Sequence, residues 1–214
     1  MIGELAASAG AAAGAGGAAW LGEQLATAGE PARFAAGFAA AGRRLGRGAI
    51  DGAAAAAITA AGLRWPVTGA DECGRAALVL AAVAAMPADR HVGFVRDLIR
   101  RGEVRERQAV LRALAALPDA ERFVELAIDA CRSNVETVFA AIACDNDYPA
   151  RHFPAPAFDQ MVIKALFVGA PLARVAGLAA RTTGELVRMV DAYVSERTAA
   201  GRPIPGDVAL IRRP

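Results

Sequence analysis

Side chains able to hydrogen-bond or move a proton are unevenly spread along the 214 residues, and they gather between positions 132 and 164. Arg132, Ser133 and Asn134 come first, then Asp145, Asn146, Asp147 and Tyr148, then Arg151 and His152, then Asp159, Gln160 and Lys164. Asn146-Asp147-Tyr148-Pro149 carries the residue types of a turn. Gln160 and Lys164, four apart, fall on one face of a helix. Such a set can line a pocket for a small polar or polyol-bearing molecule. It can equally form a buried network that pins an irregular loop to its flanking helices, because loop backbone groups must find partners. Acid–base chemistry would draw on Asp145, His152, Asp159, Lys164 and Glu196, since histidine titrates near neutrality and a desolvated lysine moves toward it. The plainer roles are a paired helix residue for Lys164 and a loop hydrogen-bonder for His152.

Other chemistries lack their residues. Cys73, Cys131 and Cys144 are an odd number in apolar helical patterns, which reads as reduced, buried thiols. His91 and His152 are the only histidines, and no CxxC, HxxxH or HExxH spacing occurs, so neither a metal nor a cofactor is expected. Gly14-Ala15-Gly16-Gly17-Ala18-Ala19 satisfies a dinucleotide pattern in letters only. The motif needs a preceding β-strand, and Leu5-Ala6-Ala7-Ser8-Ala9 is not one. Acids and bases are interspersed at a net charge of +2, which argues against a nucleic-acid partner. Arg43, Arg44 and Arg47 form a small cluster that a solvated helix face explains.

The elements that must position these residues read as helices throughout. Alanine occupies 56 positions, and it is the strongest helix former. No window shows the two-residue alternation of a strand. Pro31 opens a helix with Phe34 and Phe38 one turn apart, and Gly102 closes another. Thr68 with Asp71, and Thr182 with Glu185, have capping-box spacing. Asn134 stands where it would cap a further helix. The expected fold is all-α: stacked antiparallel helices in a bundle with a Pro-rich loop near 145–156. No clean period marks a repeat, so a HEAT- or armadillo-like stack stays open. Residues 1–30, rich in Ala and Gly with no large side chain between positions 10 and 19, are expected to be weakly ordered and to add little to the core. Residues 31–214 are expected to form a single helical domain.

Hydrophobic residues at 55% and charged residues at 21% give a globular balance. Glu4 stands where a signal peptide wants a base, and no long strongly apolar run follows. A cytoplasmic, soluble protein is the expectation.

The polar cluster also carries a resemblance. Cys131-Arg132-Ser133-Asn134-Val135 and Val138-Phe139-Ala140-Ala141-Ile142-Ala143, followed by Asp145-Asn146-Asp147-Tyr148-Pro149-Ala150-Arg151-His152-Phe153, resemble signature segments of the EboA family. So do Gln160-Met161-Val162-Ile163-Lys164-Ala165-Leu166-Phe167, Arg174-Val175-Ala176-Gly177-Leu178 and Glu196-Arg197-Thr198-Ala199-Ala200-Gly201-Arg202. Asp147 and His152 stand where the family has Pro and Tyr, and Ser195 and Thr198 where it has His and Trp, which marks a divergent member. The resemblance implies a bacterial accessory protein of secondary metabolism. With no nucleophile–base pair, metal set or phosphate loop in the sequence, the expectation is that it binds a metabolite or a partner enzyme and assists traffic toward the periplasm without catalysis. Its implied partners are a prenyltransferase-like membrane protein and a cyclase-like enzyme of the same gene cluster. The alternative is a cofactor-independent enzyme acting on a small polyol or prenylated intermediate. Arg132, Asn134, Asp145, Asn146, Tyr148, His152, Gln160, Lys164, Glu196 and Arg197 are the expected ligand- or partner-binding residues, and the two helices and their loop are expected to bring most of them together.

Overall fold

The computed structural model describes residues 1–60, 62 and 69–212. Among these the fold is all-α, with one isolated antiparallel bridge between Ala49 and Gly69 and no strand. The chain divides into two compact units, residues 1–126 and 127–214, where the sequence reading had one domain beginning at residue 31.

In the first unit, α1 spans Ile2–Ala26, α2 Pro31–Arg44, α3 Gly52–Ala60, α4 Ala70–Ala84, α5 His91–Arg101 and α6 Val104–Ala113. Helix α4 is the axis of this unit, and α1, α2 and α6 pack on it. Every residue from 70 to 80 is buried. Its Ala, Val and Leu side chains fill the space between the surrounding helices. Gly74 permits the closest approach, because a Cβ there would collide with the buried Leu45. The N-terminal segment, read from the sequence as weakly ordered, forms α1 and buries Leu5, Ala9 and Leu21 against this unit. Gly14, at φ 76°, bends α1 without strain, a conformation that favours glycine. The glycines that weaken an isolated helix thus let this one fold along its neighbours.

Pro31 starts α2 as expected, and Phe34 and Phe38 stack at 5.3 Å between ring centroids. Glu103 and Glu106 form a reciprocal capping box at the start of α6. Thr68, the proposed cap of α4, lies outside the described residues.

Helix α7, Val124–Ala130, crosses from the first unit to the second. The second unit holds α8 Glu136–Ala143, α9 Tyr148–His152, α10 Ala155–Val168, α11 Leu178–Arg181 and α12 Gly184–Ala199. Helix α10 packs on α8 and α12 around Phe139, Phe158, Val162, Leu186 and Val190. The 145–156 loop is interrupted by the short α9. The cap of α12 is Thr183, whose Oγ1 accepts from the Leu186 N–H, one residue on from the expected Thr182. Val135, not Asn134, precedes α8 as its N-cap. After α12 the chain folds back, burying Val208 and Ile211, and Asp207 Oδ2 accepts from the Leu172 N–H at 2.7 Å. No helix among the described residues is long and apolar enough to cross a membrane.

Candidate functional site

Lys164 sits midway along α10, pointing to the end of α7. Its ammonium donates to the backbone oxygens of Cys131 at 2.6 Å and Ser133 at 2.7 Å, and lies 4.9 Å from the centre of the Phe139 ring. The Cys131 carbonyl at the C-terminal end of α7 and the Ser133 carbonyl of the turn that follows thus receive a cation. Beside this junction is an open cavity of about 500 Å³. Arg132, Gln160 and Lys164 supply its polar wall, and Ile128, Phe153 and Met161 supply apolar surface. The Cys131 thiol also borders it, but burial pushes that thiol up to about 12, with the Lys164 charge acting the other way. It is therefore a protonated thiol at neutral pH and a poor nucleophile.

Three of the ten expected binding residues meet there: Arg132, Gln160 and Lys164. Arg132 and Gln160 are exposed, and Arg132 lies 3.3 Å from Asp129. Asn134 is exposed on the turn before α8.

Asp145, Asn146, Tyr148 and His152 belong to the loop and α9, and they do not line that cavity. Asn146 is buried; its Nδ2 donates to the Ala141 oxygen and its Oδ1 accepts from the Tyr148 N–H, each at 2.9 Å. This ties the turn to the end of α8. Asp145 takes a left-handed backbone at φ 48°, and its carboxylate accepts from Arg174 Nε at 2.7 Å. Tyr148 is fully buried, with the His152 ring 4.7 Å from its own. Glu196 and Arg197 serve the C-terminal return: Glu196 lies 3.8 Å from Arg202, and Arg197 Nε donates to the Pro203 oxygen at 2.7 Å. The single constellation expected from the sequence is therefore three separate groups.

Arg181 was missed by the sequence reading. From α11 its guanidinium donates to the Ala150 and Phe153 oxygens, each at 2.7 Å, and covers the Phe158 ring at 4.7 Å. It meets the carbonyl demand of the loop around α9. Asp159 is also placed unexpectedly. It is 3% exposed, accepts from Thr183 Oγ1 through Oδ2 at 3.2 Å, and its buried Oδ1 has no partner among the described residues. Burial raises its carboxyl above the ordinary range, opposed by Thr183 and Arg181. A second cavity of about 380 Å³ opens over Asp159, Gln160 and Thr183.

The first unit holds a charged cluster that no sequence motif announced. Asp71, fully buried in α4, accepts from Arg75 Nη1 at 2.7 Å and from Arg105 through Nε at 2.8 Å and Nη2 at 2.5 Å. Burial works to raise the Asp71 carboxyl, but Arg105 and Arg75 outweigh it and hold the carboxyl below the ordinary range. Glu72, next along α4, pairs with the buried Arg112 at 2.5 Å. Here burial wins, and the Glu72 carboxyl is raised despite Arg112. The signal available in the sequence was Asp71, Glu72 and Arg75 inside an otherwise apolar Ala/Leu/Val run. A charge in such a helix must be paired.

Among the described residues no group of three or more His, Cys, Asp or Glu converges as a metal set would. The family model described as "Metabolite traffic protein EboA" matches residues 15–211. No curated protein and no solved structure gives a significant match.

Proposed function

Because the chain belongs to the EboA family of metabolite traffic proteins, we propose that it is a non-catalytic accessory protein that binds a metabolite in the cavity beside Lys164. In this reading it assists the metabolite's traffic toward the periplasm in a bacterial secondary-metabolite pathway. The resemblance at the polar segments supports hand-over to a prenyltransferase-like membrane protein or a cyclase-like enzyme, from a cytoplasmic location. The observation that carries the reading is the engagement of the ionisable groups. Lys164 is bound by two carbonyls, while the exposed Gln160 amide and Arg132 guanidinium still face a cavity of about 500 Å³. A site that has tied up its lysine but offers amide and guanidinium donors beside apolar wall is suited to holding a polar molecule. Gln160→Trp fills the cavity from an exposed position. The variant should melt like the parent, yet lose the compound that accompanies the protein out of its native cell and lower the compound's periplasmic level. Full retention of both by the variant overturns the assignment.

One observation favours the alternative of a cofactor-independent enzyme acting on a small polyol or prenylated intermediate: the buried, unpartnered Asp159 Oδ1 beneath its own cavity. Burial raises that carboxyl, the direction a general acid requires. Asp159→Asn should abolish conversion of the bound compound while leaving binding intact. If no conversion occurs in the parent protein, this alternative fails.

A further inference from the structure

Two cavities of the first unit share a wall. The first, about 500 Å³, is apolar: Phe34 and Phe38 of α2 face Phe94 and Leu98 of α5, with Met86 at one end. Asp97 and Arg101 stand at its margin. The second, about 730 Å³, is polar and holds Arg43, Arg47, Arg75, Arg105 and Arg107 against Asp71, Glu103 and Glu106. Ala39 and Glu106 border both. Phe38 joins them too: its ring lines the apolar end, its backbone oxygen accepts from Arg75 Nε at 3.1 Å, and the Arg75 guanidinium lies 5.8 Å from the centre of that ring. The adjoining pair is thus aromatic on one side and arginine-lined on the other.

The charges at the arginine end are unevenly committed. Both Asp71 oxygens are held by Arg75 and Arg105. Glu106 Oε2 accepts from the Glu103 N–H at 3.0 Å, and the Glu103 side chain accepts in return within the α6 capping box. All three carboxylates are therefore engaged. Arg107 Nε donates to the Gly102 oxygen at 2.8 Å. By contrast, the side chains of Arg43 and Arg47 make no ion pair or hydrogen bond among the described residues. Arg75 is 5% exposed; Nε and Nη1 are engaged, and Nη2 is left open to the cavity beside Gly42, where a Cβ would stand 3.3 Å from it. A buried guanidinium with an unused donor and two uncommitted arginines are the chemistry of an anion site. The aromatic and aliphatic surface that adjoins it at Ala39 and Glu106 suits a hydrocarbon chain.

We propose that the two cavities join across Ala39 as one trough that binds a single-chain amphiphile with an anionic phosphate head, its chain against Phe34, Phe38 and Phe94 and its head against Arg75, Arg43 and Arg47. The site is independent of the cavity beside Lys164 and stands or falls apart from it. The probes are decyl phosphate, hexyl phosphate, 1-decanol and inorganic phosphate, titrated as monomers into the full chain by calorimetry. Decyl phosphate should bind at one equivalent. Each methylene withdrawn from water is worth about fourfold in Kd, so hexyl phosphate should bind at least about tenfold more weakly. Inorganic phosphate and 1-decanol should each be weaker than decyl phosphate by at least the same factor. Arg43→Gln with Arg47→Gln, which breaks no contact of the fold, should weaken decyl phosphate roughly tenfold and leave 1-decanol unchanged. Ala39→Trp, at the shared wall, should remove decyl phosphate binding, and an unchanged circular dichroism melt shows that it folds. Equal affinity for the two chain lengths overturns the proposal, as does indifference to the double arginine change. Sedimentation with phosphatidylglycerol vesicles in the absence of any binding to monomeric decyl phosphate would also overturn it, assigning the arginines to a lipid surface.

Discussion

Asp71 in α4 and Asn146 in the turn before α9 are both almost wholly buried polar side chains, yet they are satisfied in different ways. Asp71 meets two guanidinium groups, and its neighbour Glu72 meets a third. Asn146 hydrogen-bonds to backbone, as do Lys164 and Arg181 in the same unit. In the first unit the buried carboxylates of α4 are answered by guanidinium groups, of which Arg75 also reaches the Phe38 oxygen. In the second unit, side chains supply the donors that an irregular loop and a helix end lack. A dense run of polar residues thus proved to be largely loop support, while a sparse trio in an alanine helix forms the most buried electrostatic cluster. Polar density measures how irregular the local backbone is; isolation within an apolar run is the better sign of a buried ionic site.

The largest effect should come from Asp71→Ala, which strands Arg75 in the core. It should cost about 3–5 kcal/mol in urea unfolding. If it costs no more than the loss of a backbone-bonding side chain, the contrast between the two regions fails. Deleting residues 1–13, with the buried Leu5 and Ala9, should cost about 3 kcal/mol through exposed apolar surface. An unchanged melt would return that segment to the accessory status its composition suggested. Arg181→Ala leaves the Ala150 and Phe153 carbonyls short of a donor. It should cost about 2 kcal/mol and speed proteolysis of the 145–156 loop, with little change in amide exchange of α4.

The smallest effect concerns pH and sharpens the comparison within α4 itself. The Asp71 carboxyl is depressed, so its contribution is present above its ordinary value of 3.8 and is lost as pH falls through its lower folded value. The Glu72 carboxyl is raised, so the folded state binds that proton more tightly. Its contribution is present below the ordinary 4.5 and is lost as pH rises through the higher folded value. Urea midpoints measured across the acid range should show these opposed slopes. Glu72→Gln should flatten only the decline above 4.5. A midpoint curve identical in parent and variant would mean that Arg112 fully compensates burial.

Much of the fold was legible because helix formation is local. Alanine content, the apolar stripe on α2 and the proline and glycine stops depend on residues a few positions apart, and they mark most helices within a turn of their observed ends. The family was legible in the segments around Cys131, Asp145 and Gln160 for the same reason: they are contiguous. Of the candidate site, only the meeting of Arg132, Gln160 and Lys164 at one cavity follows the expectation. Asp145 and Asn146 sit close to them in sequence, yet Asp145 turns to the Arg174 guanidinium and Asn146 to the backbone of Ala141 and Tyr148, and Glu196 and Arg197 are drawn to the C-terminal return.

By itself, the sequence determined an all-α chain, its main stops, the three thiols in apolar settings and its membership of a family. Only the tertiary structure decided that α1 packs on α4, that Asp71 and Arg105, 34 residues apart, share a buried bond, and that an aromatic cavity and an arginine cavity share Ala39 and Glu106. Local propensity is written in each residue and its near neighbours. Which charge finds which, and which apolar face closes against another, depends on contacts between helices whose partners the local pattern does not specify.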